Sequence, residues 1–165
     1  MFDDTNLRNA QKGALIISFV FIFSLVIYAG VTEFFLGDLN LDTGSSDFGF
    51  LKYILMAFAA VEVVMMPIIK NHILSGETPF LQPPDSKKDS PGPDEAQFIN
   101  RLRTAHIITY ALCESIAIYG LMLFFLEKDK TLFYAFLGVS LFLMLVHFPK
   151  YDDWKSRLEN FLSEN

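Results

Sequence analysis

The sequence is poor in charge and in cysteine. Charged residues make up 19% of the 165 positions, whereas an ordinary soluble domain carries about 25%. The only cysteine is Cys113, which excludes an internal disulfide bond and metal sites built on cysteine pairs. Acidic residues outnumber basic ones, and the net charge of −6 argues against nucleic acid as a partner, because phosphate binding requires a basic face.

Motifs of catalysis are lacking as well. The sequence shows no pairing of a nucleophile with a base, no phosphate-binding loop and no cofactor fingerprint. His72 and His147 are isolated from each other and lack the short spacing of a histidine metal site. We therefore expect neither an enzyme nor a bound cofactor or metal ion.

Long apolar blocks dominate the chain instead. Hydrophobic residues make up 52% of it, and phenylalanine alone occupies 18 positions. Four blocks each come close to the roughly 20 residues that a helix needs to cross a bilayer. They cover residues 13–36, 48–69, 104–126 and 131–148. These blocks predict an all-α fold, an integral membrane bundle of four transmembrane helices, with residues 1–165 as a single membrane domain.

Two polar segments complete this organisation. Residues 71–100 are rich in proline, glycine and charge, which predicts an extended linker. Pro93 and the acids after it are typical of a helix start, so the third helix is expected to begin before the membrane. Residues 151–162 predict an amphipathic helix on the membrane surface, anchored by Tyr151 and Trp154. Docking of this helix on a partner is the alternative.

The basic residues predict the orientation. They cluster near both termini and in the linker, so the positive-inside rule places these segments in the cytoplasm. The third helix then runs from the cytoplasm outward. We expect a multi-pass protein whose first partner is the lipid bilayer, with a second copy or a membrane complex as further candidates.

Glu114 stands near the middle of the third block. A charged acid at the bilayer centre costs about 2.5–3.5 kcal/mol on insertion scales, so such a residue suggests a function. His106, Tyr110 and Glu114 stand at i, i+4 and i+8 and so share one helix face. A carboxyl group in a low dielectric favours its neutral form. We therefore expect Glu114 to be protonated at rest.

Glu62 is expected at a similar depth on the second helix. If Glu62 and Glu114 face each other, they could share a proton as a coupled pair. The alternative is a structural role, in which both are neutral and bond to Ser115, Thr109 or backbone carbonyls to fix the register of the helices. The candidate ion-binding residues are Glu114, Glu62, Tyr110, His106 and Ser115.

Part of the third block resembles a known helix. Residues 102–104 read Leu-Arg-Thr, 111–115 read Ala-Leu-Cys-Glu-Ser and 118–121 read Ile-Tyr-Gly-Leu. This pattern resembles the carboxylate-bearing helix of the proteolipid c subunit of rotary ATP synthases. The resemblance implies that Glu114 binds and releases a proton or sodium ion. It is local to residues 102–126, and the first two blocks lack the glycine stripe of that family's first helix.

The whole chain also resembles a group of bacterial four-helix membrane proteins with the same third helix and a His-Phe-Pro like that of residues 147–149. This resemblance implies the bacterial inner membrane as the location. Two functional hypotheses follow from the sequence. In the first, Glu114 and its neighbours bind or relay a proton or small cation. In the second, the chain is a non-transporting scaffold or accessory subunit of a larger complex.

Overall fold

The computed structural model describes residues 4–38, 49–75 and 95–164, and all regular structure in these ranges is helical. The helices are α1 (Asp4–Asp38), α2 (Gly49–Ser75), α3 (Glu95–Glu127), α4 (Lys130–Val146) and α5 (Tyr151–Glu164). The predicted all-α class is therefore confirmed.

Three of these helices, α1, α2 and α3, are long and apolar enough to cross a membrane. The 17-residue α4 reaches the required length only together with α5, from which it is bent by 54°. The described chain therefore has three candidate spans, or four if the bent pair counts as one. Large apolar side chains stay exposed along α1 and α2, as a lipid-facing surface requires; examples are Phe19, Phe23, Phe58 and Val64.

The central helix is α3. About 44% of its most apolar 18-residue stretch is buried, whereas the corresponding values are 17% for α1 and 11% for α2. Helix α3 packs against α1, α2 and α4, whereas within the described residues no Cα atom of α2 lies within 8 Å of a Cα atom of α1 or α4. Two clefts therefore flank α2, one toward α1 and one toward α4, and α3 forms the floor of both.

Helices α1 and α3 are longer than their apolar blocks. Helix α1 begins at Asp4 and α3 at Glu95, and we call the end of the bundle where both begin the terminal end. Their added turns carry Leu7, Phe98 and Leu102, which are buried in one cluster. Burial of these side chains explains why helix continues beyond the transmembrane blocks.

The boundaries of the predicted linker need correction for the same reason. Residues 71–75 and 95–100 are helical, and within them Ile73, Phe98 and Ile99 are buried. Helix α2 also continues past Pro67 to Ser75. The rest of the predicted linker, residues 76–94, lies outside the described residues.

Helix α5 packs on the protein with its apolar face. Trp154 is only 6% exposed and Leu158 is fully buried, both in the cluster with Leu7 and Leu102. The rings of Phe98 and Phe161 stack with 4.4 Å between their centroids. The expectation that Trp154 anchors a surface helix in lipid is therefore wrong, because the ends of α1 and α3 already cover this side chain.

Helices α3 and α4 form a close antiparallel hairpin. Lys128 adopts a left-handed φ of 55°, and the side chain of Asp129 caps α4 by accepting from the backbone N–H of Leu132 at 3.0 Å. At Gly120 the two helices meet so closely that an added Cβ would lie 2.6 Å from the Cβ of Phe136. This glycine therefore sets the distance between the two helices.

Candidate functional site

Glu114 is held by two hydroxyl groups of α1. Its Oε1 accepts from the hydroxyl of Ser24 at 2.6 Å and from that of Tyr28 at 2.7 Å. Helices α1 and α3 run side by side in the same direction, since Ser18 of α1 also meets His106 of α3 about two turns nearer the terminal end. We call Glu114, Ser24 and Tyr28 the Glu114 site. Glu114 is half-buried.

Glu62 is held in the same way by two hydroxyl groups of α3. Its Oε2 accepts from Ser115 at 2.6 Å, and its Oε1 accepts from Tyr119 at 2.6 Å. We call Glu62, Ser115 and Tyr119 the Glu62 site. The carboxyl group is again half-buried, and α3 thus supplies the acid to one site and the hydroxyl donors to the other.

The same sequence pattern builds both pairs of donors. Residues 24–28 read Ser-Leu-Val-Ile-Tyr and residues 115–119 read Ser-Ile-Ala-Ile-Tyr. A serine and a tyrosine four residues apart lie one turn apart on the same helix face, so each pair can grip one carboxyl group. Sequence reasoning named Ser115 but missed Ser24, Tyr28 and Tyr119 as partners, although the repeated Ser-x-x-Ile-Tyr was a signal that could have found them.

Each serine has two acceptors in reach and a single hydroxyl proton. Besides its glutamate, Ser24 lies 2.7 Å from the carbonyl oxygen of Phe21, and Ser115 lies 2.7 Å from that of Leu112. If the serine donates to the glutamate, the carboxyl group can be ionised. If the serine donates to the carbonyl, a protonated carboxyl group can donate to the serine oxygen. Rotation of the serine hydroxyl thus allows each site to hold either the ionised or the protonated carboxyl group.

The two carboxyl groups do not share a partner. Glu114 bonds to α1, whereas Glu62 reaches α3 from α2. Their attachment points, Glu114 and Ser115, are adjacent in sequence and so lie about 100° apart around α3. Ile118 and Met122 of α3 are exposed between them, at 38% and 46%. Both sites therefore border the cleft between α1 and α2, on opposite walls.

His106 and Tyr110 bond to other partners than Glu114. The ring of His106 lies 2.8 Å from the hydroxyl of Ser18, and the hydroxyl of Tyr110 donates to the carbonyl oxygen of Met144 at 2.7 Å. The His106 and Tyr110 rings are in contact, with 4.5 Å between their centroids. The three residues of the predicted stripe thus each attach α3 to a neighbouring helix, His106 and Glu114 to α1 and Tyr110 to α4.

A third acid, Glu33, lies in a different setting. It accepts from the hydroxyl of Tyr134 at 2.7 Å and forms an ion pair with Lys130 at 3.7 Å, where both side chains are about half exposed, 57% and 48%. Glu114 and Glu62 have no such cation within the described part of the chain. In the same part, no group of three or more His, Cys, Asp or Glu side chains is arranged to hold a metal ion.

The geometry therefore provides two half-buried glutamates, Glu114 and Glu62, inside the apolar blocks of α3 and α2. Each carboxyl group is held by a serine and a tyrosine. Comparison of the chain with protein-family models, with curated proteins and with solved structures finds no match.

Proposed function

We propose that this chain is a membrane protein that reversibly binds protons at two intramembrane carboxyl groups, Glu114 and Glu62. The observation that carries the proposal is the pair of hydroxyl groups at each carboxyl, with a serine that can turn toward a backbone carbonyl. The carbonyl is the usual back-bonding acceptor of a helical serine, so the hydroxyl can turn to it without any change in the helix.

The magnitudes support reversible binding. An ionised acid at the bilayer centre costs about 2.5–3.5 kcal/mol on insertion scales. A hydrogen bond to a charged group contributes about 1.5–3 kcal/mol, and each carboxyl group has two hydroxyl donors. The two donors together offset a cost of that size, so the site can hold an ionised carboxyl group as well as a protonated one.

A proton fits these sites better than a metal cation. A hard cation such as Ca²⁺ takes 6–8 oxygen ligands, whereas each glutamate meets two hydroxyl groups. The resemblance of residues 102–126 to the proteolipid c subunit also supports ion binding at Glu114. We place the protein in the bacterial inner membrane with both termini in the cytoplasm, as the basic residues and the second resemblance suggest. Protons then reach the two sites through the cleft between α1 and α2.

Infrared spectroscopy of the purified chain in lipid tests this proposal. The C=O stretch of a protonated carboxyl group is separate from the amide bands, and we expect Glu114→Gln and Glu62→Gln each to remove one such band. Glu33→Gln is the matched control and should leave both bands, because Glu33 is ion-paired at the end of the bundle. As pH rises, both bands should disappear reversibly.

Two results would contradict the proposal. In one, the bands persist at every pH at which the protein stays folded, so that the protons do not exchange and the acids are structural. In the other, neither Glu114→Gln nor Glu62→Gln changes the carboxyl region. The scaffold hypothesis would then be favoured, although docking of α5 on a partner would need another surface than its apolar face, which packs on α1 and α3.

A further inference from the structure

The cleft between α2 and α4 contains two spaces of opposite character. At the terminal end, a cavity of about 80 Å³ is lined by Lys70, Lys150 and Arg157, with Asp153 and His147 beside them. Since about 10–15 Å³ is enough for one water molecule, this cavity has room for a larger polar group. It is lined by more positive than negative side chains.

The positive charges of this cavity exceed the negative charge that lines it in the described structure. Lys70 and Arg157 are close enough for their charges to repel, and Asp153 attracts Lys70 only in part. Within residues 4–38, 49–75 and 95–164, none of the three cations forms an ion pair with a carboxylate. Cations that outnumber the carboxylates at a membrane interface favour an anion, and basic pockets between transmembrane helices bind anionic headgroups.

The second space lies further along the same cleft. It is an apolar groove of about 300 Å³, with Ala59 and Ala60 of α2 on one wall, Ala135 and Val139 of α4 on the other, and Ile116 of α3 in the floor. Small side chains leave the groove open between the two helices, whose Cα atoms are more than 8 Å apart throughout the described structure. Its surface matches a hydrocarbon chain.

The spacing of the two spaces matches one lipid molecule. Lys70 is 7 residues from Val63 and 14 from Met56, which correspond to about 10 and 21 Å along α2. One leaflet contributes about half of the roughly 30 Å hydrocarbon core. When Lys70 lies at the interface, the near part of the groove, from Val63 to Ala60, therefore lies at the depth of an acyl chain.

We propose that the cleft between α2 and α4 binds one anionic phospholipid. Its phosphate lies in the cavity with Lys70, Lys150 and Arg157, and one acyl chain lies in the groove beside Ala60 and Ala135. This assignment is independent of proton binding, because the Glu114 and Glu62 sites border the other cleft.

Native mass spectrometry of the full chain, incubated with equal amounts of phosphatidylglycerol and phosphatidylcholine, tests this site. We expect one phosphatidylglycerol molecule to be retained in preference to phosphatidylcholine by at least about tenfold, an effect of about 1.4 kcal/mol. The double variant Lys70→Gln/Arg157→Gln should lose this preference. Lys155→Gln is the matched control, because Lys155 is on α5 but pairs with Glu159 away from the cavity.

Substitutions in the groove test the acyl chain separately. Ala60→Phe should lower the retention of both lipids several-fold by filling the groove, whereas Ala57→Phe, at an exposed position of α2 outside the groove, should not. Inorganic phosphate at the same concentration as the lipid should not displace it.

Three outcomes would overturn the assignment. Equal retention of the two lipids by the wild-type chain would show that the cations do not select the headgroup. Displacement by inorganic phosphate would assign the cavity to a free anion. A dimer that retains no lipid and is lost in Ala60→Phe would assign the groove to a second copy of the chain.

Discussion

Each tyrosine should couple energetically to its own glutamate and not to the other. Tyr28 donates to Glu114 at 2.7 Å and Tyr119 to Glu62 at 2.6 Å, so the two bonds are nearly equivalent in length. The perturbation is a double-mutant cycle that removes the hydroxyl with Tyr28→Phe and the carboxyl with Glu114→Met. Methionine keeps most of the volume of glutamate but has no strong acceptor.

The expected coupling follows from the geometry. A typical hydrogen bond contributes about 0.5–1.5 kcal/mol, and interhelical bonds in membranes average about 0.6 with a maximum near 1.7. At 2.7 Å, the Tyr28 bond has the usual length for a hydroxyl donor, so we expect a coupling of about 1 kcal/mol between Tyr28→Phe and Glu114→Met. The double variant should therefore be destabilised by about 1 kcal/mol less than the sum of its two single variants, which is about a fivefold difference in the unfolding equilibrium constant.

The crossed cycle is the control. The effects of Tyr119→Phe and Glu114→Met on the free energy of unfolding should add within about 0.3–0.5 kcal/mol. The reason is that Tyr119 donates to Glu62 of α2 and not to Glu114. The assay is reversible unfolding in mixtures of mild and denaturing detergent, followed by circular dichroism and by the fluorescence of the chain's single tryptophan, Trp154. A crossed coupling as large as the matched one, or no matched coupling, would refute this pairing of donors and acids.

Two further predictions concern packing and use the same unfolding assay. Gly120→Ala should destabilise the chain by about 1–3 kcal/mol, because the new methyl group overlaps Phe136, whereas Gly138→Ala, with open space around it, should not; equal effects would contradict the close approach of α3 and α4. Leu158→Ala should cost about 2–5 kcal/mol and speed hydrogen exchange in the first turns of α1 and α3, which its fully buried side chain covers; unchanged exchange there would argue against the docking of α5.

The sequence could predict which two acids form the candidate sites, because this depends only on their position within the apolar blocks. Glu114 and Glu62 are the only acids in the interior of the apolar blocks, and the cost of a charge there follows from the bilayer. The helix class and the approximate blocks could be predicted for the same reason. Within the described residues, α1 and α3 extend beyond their apolar blocks at the terminal end, where Leu7 and Phe98 are buried.

The partners of the acids could not be found in this way. Lipid tails are as apolar as leucine, so in a membrane helix the apolar pattern does not mark the face that meets protein. Ser24 and Tyr28 lie 90 and 86 residues from Glu114, and only the parallel packing of α1 on α3 brings them together. The same limit explains why the stripe of His106, Tyr110 and Glu114, on one face of α3 by spacing, attaches to two different helices.

The sequence by itself thus determined that this chain is helical, that it is apolar enough for a membrane and that two acids stand within its apolar blocks. Only the tertiary structure decided that α3 is the centre, that each acid has a serine and a tyrosine as donors, and that α5 covers the ends of α1 and α3. The physical reason is that hydrophobicity fixes which segments leave water, whereas the choice of neighbours depends on hydrogen bonds and close contacts between distant parts of the chain.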